Sequence, residues 1–362
     1  MKKSVKKWVS IGAVLSLACL FLTACAGKKS GGSSAKSSSK HTVALITDIS
    51  GVNDHSFNES GWRGMKAFGK AFNLPRGNNG YQYFESSSQS DYVPNITQAA
   101  NAKFQTIFGV GYALKDAISQ SAKKYPKQNF VIIDDLIKGQ KNVASVNFKS
   151  NDASFLAGVA AAETTKTDKV GFIGGTHSDI VDLFDAGFTQ GVQYEAKKLG
   201  KKITVMKGYI GDFTSADKGK SIAQTMYAKD ADVIFHAAGP AGLGAFQEAR
   251  SIDQTRTQAN KVWTIGVDSN QQSFGHYKDK NGKKSNFCLS SVMTGVNVAV
   301  KDISTRAYHD KFPSGKNLTY GLKGDGVYIT RGFIANKTWT KVQQARSQII
   351  AGKITVAKHP KA

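Results

Sequence analysis

Short β-branched runs alternate with longer amphipathic stretches along this chain, and the alternation is carried through twice. The first series of expected strands is Val43 to Thr47, Tyr81 to Glu85, Thr106 to Val110, Asn129 to Ile133 and Val143 to Phe148. Helical spacing separates them at Phe57 to Phe72, Tyr92 to Ala102 and Ala113 to Lys124, and a small-residue helix follows at Ala153 to Glu163. A second series begins near Lys169, with strands at Val170 to Ile173, Ile203 to Lys207, Val233 to His236, Val262 to Val267 and Phe287 to Val292. Its helices are expected near Phe184 to Leu199, Gly219 to Tyr227 and Gly242 to Ile252. Strands joined through helices must run parallel, so the pattern predicts an α/β protein with two doubly wound parallel-sheet lobes. The expected division is 42–165 for the first lobe, with a returning segment near 293–320, and 166–292 for the second, with a C-terminal segment near 321–362. About 320 residues exceed what one hydrophobic core usually holds, which agrees with two lobes.

Asp48 to Phe72 forms the first strand–turn–helix unit. The turn Gly51-Val52-Asn53-Asp54 follows a strand end, and ligands of open α/β sheets sit outside the carboxyl ends of the strands. Asn53, Asp54 and Asn58 are therefore candidate ligand contacts. Ser56 and Glu59 have the spacing of a capping box, in which Ser56 accepts the Glu59 N–H and Glu59 reaches back to Ser56. Phe57, Gly61, Met65, Phe68 and Phe72 then line one face of the helix.

Residues 1–24 read as an export signal. A basic start (Lys2, Lys3, Lys6, Lys7) precedes the apolar run Trp8 to Leu22, too short for an ordinary membrane span, and Leu22-Thr23-Ala24-Cys25 matches the lipobox of bacterial lipoproteins. Cys25 is the expected lipidation site, and a doubly acylated N-terminus holds a chain stably at a membrane. Residues 25–41 are rich in Gly, Ser and Lys, a composition that makes a flexible tether. The expected location is the extracytoplasmic face of the cell membrane.

The chain carries 49 Lys and Arg against 26 acidic residues, a net +23 that becomes +19 when the four lysines before Cys25 are removed. The lysines are scattered and lie in no aromatic-rich nucleic-acid motif, so the charge is read as a surface property and no nucleic-acid partner is expected. Of the three cysteines only Cys288 lies beyond the leader and the lipidation position; it reads as a small buried hydrophobe.

Along the expected strand ends stand Asp48, Gly109-Val110-Gly111-Tyr112, Asp134-Asp135, Gly174-Gly175, Ala238-Gly239-Pro240 and Asp268. Glycine admits close backbone approach and carboxylates accept from hydroxyl and ring N–H groups. No Lys or Arg stands at these tips, which points to a neutral, donor-rich ligand. Phe57, Phe184 and Phe188 offer flat walls for a planar ring, although Phe188, four residues past Phe184, suits the core. Enzyme signatures are lacking: there is no P-loop, HExxH or GxSxG, Gly239 to Gly244 does not have GxGxxG spacing, and the seven histidines show no zinc-ligand spacing. Neither a cofactor nor a metal is expected.

The segment Asp48 to Asn58 (DISGVNDHSFN) resembles the D-x-G-x-x-N-D-x-S-F-N signature of the basic membrane protein family, substrate-binding lipoproteins of nucleoside-type ABC importers, with the glycine one place later. The similarity continues through Phe130 to Asp134, Phe155 to Ala161, Lys169 to Gly175, Phe184 to Phe188 and Ile265 to Asp268. It implies a type I periplasmic-binding fold whose two lobes close on a ligand about a hinge, without chemistry on that ligand. It further implies that Phe57 and Phe184 sandwich a base, that Asn53, Asp54 and Asp134 bond its edge, and that Gly239 and Asp268 hold a ribose. By the same likeness a nucleoside, of the purine class, would then pass to an ABC permease with its ATPase subunits. A sugar or signal molecule, or less readily a nucleoside-cleaving activity, are the alternatives. One departure stands out: where the family commonly has a lysine after a strand, this chain has Thr294.

Overall fold

The computed structural model describes residues 41–360; the expected signal peptide, Cys25 and all of the tether before His41 lie outside the described residues. Elements of the first half, in chain order, are β1 (Val43–Ile46), α1 (Phe57–Ala71), β2 (Tyr81–Phe84), α2 (Tyr92–Asn101), β3 (Thr106–Val110), α3 (Lys115–Lys124), β4 (Asn129–Ile133) and β5 (Val143–Phe148). They continue as α4 (Ser150–Thr164), β6 (Lys169–Gly174), α5 (Asp179–Leu199), β7 (Thr204–Tyr209), α6 (Ala216–Ala228), β8 (Val233–Ala237), α7 (Leu243–Asp253) and β9 (Trp263–Val267). The last stretch holds β10 (His276–Lys278), β11 (Lys284–Asn286), β12 (Cys288–Thr294), α8 (Val296–Tyr308), β13 (Asn317–Tyr320), β14 (Val327–Ile329) and α9 (Asn336–Ile350).

Two six-stranded sheets result among the described residues. The first has the order β13-β5-β4-β3-β1-β2 and is parallel throughout. The second has the order β14-β12-β9-β8-β6-β7 and is parallel except for β14, which runs antiparallel to β12. Within each sheet the second strand lies outside the first and the third lies inside it, so strand order reverses between first and third. That reversal is the point at which open α/β sheets bind ligands. The central strands are buried along their length, as parallel strands covered by helices on both faces must be.

The chain passes between the sheets three times: after β5, after β12 and between β13 and β14. These passages lie side by side. Lys149 N–H donates to Tyr320 O at 2.8 Å and Gly295 N–H to Gly326 O at 2.8 Å. A Cβ on Gly295 would stand 2.6 Å from that same Gly326 oxygen, so the crossing needs glycine there.

Three features depart from the sequence reading. Helix α4, expected to close the first lobe at 165, packs on α5, α9, β12 and β14, which moves the boundary back toward Lys149. Its thirteen buried positions run from Ser150 to Ala162, and a helix apolar or small on every face has no amphipathic phase to reveal which sheet it serves. The β10–β11 hairpin and β13 were not anticipated, being short and, in β10 and β11, lysine-bearing. Finally, Ser56 makes no side-chain bond to the end of α1. The cap is Asp54, whose Oδ1 accepts the N–H groups of Ser56 (2.9 Å) and Glu59 (3.0 Å) and whose Oδ2 accepts that of Asn58 (2.8 Å). A carboxylate two residues upstream satisfies more of the free N–H groups than one hydroxyl can, and its charge suits the helix start.

Candidate functional site

Between the two sheets lies a cavity of about 320 Å³, walled by the carboxyl ends of strands from both. Asp48, Tyr112 and Asp134 follow β1, β3 and β4, while Thr176, Gly239 and Asp268 follow β6, β8 and β9. No Lys, Arg or His is among the residues that line it. The surroundings are therefore acceptor-rich and carry no fixed positive charge to receive a phosphate or carboxylate.

Of the sequence candidates, Asp54, Phe57, Asp134, Phe184, Gly239 and Asp268 line this cavity. Asn53 does not: it is exposed on the outside of the turn. Asn58 does not either, being fully buried behind the wall. Its amide braces the site from there, with Nδ2 donating to Asp48 Oδ1 (2.8 Å) and Asp54 Oδ2 (3.0 Å) and Oδ1 accepting the Asp48 N–H (3.2 Å). Asp54, committed to capping α1, has few lone pairs left for a ligand. Spacing in a motif cannot separate a group that touches a ligand from one that holds its neighbour, which is why all three were read alike.

Asp134 and Asp268 occupy corresponding places in the two lobes. Each directly follows the fourth strand of its sheet, at φ 65° and 61°, and each donates its N–H to the fifth strand, to Val146 O at 2.8 Å and Val292 O at 2.7 Å. Left-handed backbone at a non-glycine residue is strained and is retained where surrounding structure holds it. Burial drives the Asp134 carboxyl well above the ordinary carboxylate range, and the charges of Asp268 and Asp135 add to the rise. Burial likewise lifts Asp268 to about 6, against a bond from Ser56 Oγ at 2.7 Å. Asp48 is raised by burial and held down by Ser50 and Asn58. Thr294 is buried and lies beside the Asp268 carboxyl.

The aromatic walls are distributed differently from expectation. Phe184 borders the cavity but is 6% exposed, its ring 6.4 Å from that of Phe235 in the core. Phe213, in the loop after β7, is only partly buried and meets the Tyr112 ring edge-on at 6.5 Å. Its seat is built for it: Phe213 O accepts the Ala241 N–H at 2.9 Å, and a Cβ on Gly175 would collide with the ring at 2.2 Å. The Gly211-Asp212-Phe213 turn carried this signal, but β7 is an edge strand and its end was not read as a ligand position. Thr176 and Ser56 were also not nominated, and Tyr112 stood among the strand-end residues without an assigned role; its hydroxyl lies 3.2 Å from Thr176 Oγ1 across the cavity.

Two lobes of common topology facing each other across a cavity at their strand ends are the architecture of a solute-binding protein of the type I periplasmic-binding class. A solved solute-binding protein of an ABC transporter system from Aeropyrum pernix K1 superposes with a TM-score of 0.75 at 20% identity, over 89% of this chain and 94% of that one. Residues 40–359 match the family described as ABC transporter substrate-binding protein PnrA-like, and the chain belongs to that family. It is 43% identical to the ABC transporter nucleoside-binding protein BmpA of Lactococcus lactis subsp. cremoris over 98% of this chain and 99% of the relative. It is 30% identical to Basic membrane protein A of Borreliella burgdorferi over 88% of this chain and 85% of the relative. The family is a substrate-binding component of ABC transporters and not an enzyme.

Proposed function

We propose that this protein captures a nucleoside, with a purine as the preferred base, between its two lobes and delivers it to an ABC permease energised by its ATPase subunits. The observation that carries the reading is the cavity lining: aromatic faces at Phe57 and Phe213, carboxylates at Asp48, Asp134 and Asp268, and no cation. A base is planar and apolar on its faces with donors at its edge, and a ribose presents hydroxyl donors, so acceptors around an aromatic slot suit both. The nucleoside-binding name of a relative 43% identical supports the same ligand class. In this reading Phe57 and Phe213 flank the ring, Phe184 closes the floor, Asp134 and Asp48 meet the base edge, and Asp268 with the Gly239 backbone receives the ribose. The three adjacent crossovers supply the hinge. Cys25, by its lipobox, anchors the chain on the extracytoplasmic face.

The test is a panel of nucleosides, free bases and sugars offered to the purified protein. Purine nucleosides are expected to raise the unfolding temperature and to be recovered intact; stabilisation by sugars alone, or release of free base, overturns the proposal.

A further inference from the structure

We propose that the amino-terminal end of α1 is an interlobe clasp, in which Ser56 and Arg63 hold the loop after β9 against the first lobe and thereby set the position of Asp268. The inference rests on the reading above, that the lobes close over a ligand which Asp268 faces.

Every polar atom of Ser56 is engaged, and two of its bonds cross between lobes. Ser56 Oγ donates to Asp268 Oδ2 at 2.7 Å, and Ser56 O accepts from Ser269 Oγ at 3.1 Å. Its N–H remains with Asp54 and its carbonyl also serves the helix, through Ser60 N–H at 3.1 Å. Ser269 Oγ in turn accepts from Arg63 Nη2 at 2.9 Å, so one hydroxyl both donates to and accepts from the opposite lobe. Arg63 is held in place by Glu59, one helical turn earlier, at 3.0 Å. The His55 ring adds an edge contact to Phe274 at 5.2 Å.

On its own lobe the loop is braced by Gln271, which is 1% exposed. Its Oε1 accepts the Val267 N–H at 3.2 Å and stands 2.9 Å from His236 Nε2, while its N–H donates to Ser291 Oγ at 3.0 Å. An oxygen at that position requires the proton of His236 to be on Nε2, consistent with the partnerless Nδ1. Gln271 Nε2 then points toward His55 O, at 3.5 Å. A loop so braced moves with its lobe, so separating the lobes breaks the Ser56, Ser269 and Arg63 bonds together. The carboxylate that receives the ligand is thus held by the same bonds that hold the cleft closed. Hydrogen bonds to a charged group are stronger than neutral ones, and losing one here frees a strained aspartate to turn away.

Ser56 and Arg63 are positioning residues, tested on the full chain with adenosine as the probe. In Arg63→Gln and Ser56→Ala, adenosine is expected to dissociate about tenfold faster with little change in association, the effect of losing roughly one charge-assisted bond. Arg76→Gln, on the outer face over Trp62 and Tyr83, is the control of equal charge change and should leave both rates unchanged. A wild-type dissociation rate in folded Arg63→Gln and Ser56→Ala overturns the clasp. If Ser56→Ala does not fold, Ser269→Ala takes its place with the same expectation. Hydrogen exchange without ligand separates the clasp from the nucleoside reading. Faster exchange at residues 268–272 in Arg63→Gln supports the clasp even if adenosine fails to bind the wild type, whereas unchanged exchange there overturns it.

Discussion

At the scale of single residues, neighbours in one motif have exchanged duties. Ser56 looks like the helix cap and Asp54 like the ligand contact; the structure gives the cap to Asp54 and turns Ser56 toward Asp268. Replacing Asp54 by alanine is expected to destabilise the fold by about 1–2 kcal/mol through the lost cap, read as a lowered denaturant midpoint. Two aromatic residues on the cavity wall also differ in duty. Phe184→Ala should cost about 3–5 kcal/mol of stability, as deletion of a core ring does. Phe213→Ala should leave stability within about 1 kcal/mol and weaken nucleoside binding at least about tenfold, measured by calorimetry. A third residue-scale effect concerns Asp253, which is fully buried with Oδ2 unpartnered. Burial lifts its carboxyl to about 7, against the Val262 N–H and nearby Lys261 and Arg256. The folded chain thus holds a proton between about pH 4 and pH 7 that the unfolded chain releases, and this group's contribution to stability falls as pH rises through that window. Asp253→Asn should therefore raise the unfolding temperature at pH 8 and change it little at pH 4; equal shifts at both would show that charge burial is not the cause.

At the scale of elements, helices α4 and α5 decide how the second lobe packs. They approach so closely that a Cβ on Gly158 would lie 2.3 Å from Phe188 O, and one on Gly191 2.1 Å from Phe155 O. Backbone meets backbone at these points, with no flexible side chain to move aside. Gly158→Ala is expected to destabilise by about 1–3 kcal/mol, the range for overpacking a filled interior, even though alanine favours helix; thermal unfolding in the ligand-free state measures it. Strand positions in the first lobe were legible to the residue for β3, β4 and β5, because buried parallel strands are continuous β-branched runs bounded by turns. The allegiance of α4 was not legible, since both of its candidate sheets would accept its small uniform surface.

At the scale of the whole molecule, the strand order second-first-third-fourth-fifth appears in both lobes, and the cavity-lining aspartates Asp134 and Asp268 repeat in place and backbone conformation. Under the proposed function, adenosine at a hundred times its dissociation constant should add about 2.7 kcal/mol to stability, seen as a rise in unfolding temperature. Loss of that rise in Asp268→Ala, with an unchanged unliganded unfolding temperature, would tie the stabilisation to this cleft.

Local chemistry in the chain was sufficient for the alternation of strands and helices, for the tandem of two α/β lobes, for the strand ends that wall the interlobe cavity, and for family membership through the Asp48 to Asn58 motif. Each of these follows from periodicity or from residues adjacent in sequence. The duties within the site depend on groups far apart in the chain: Ser56 on Asp268, and Phe213 on Gly175 and Ala241. A carboxylate or a ring has the same local pattern whether it faces a ligand or a neighbour. Only the packing of one lobe against the other determines which of its bonds are already made.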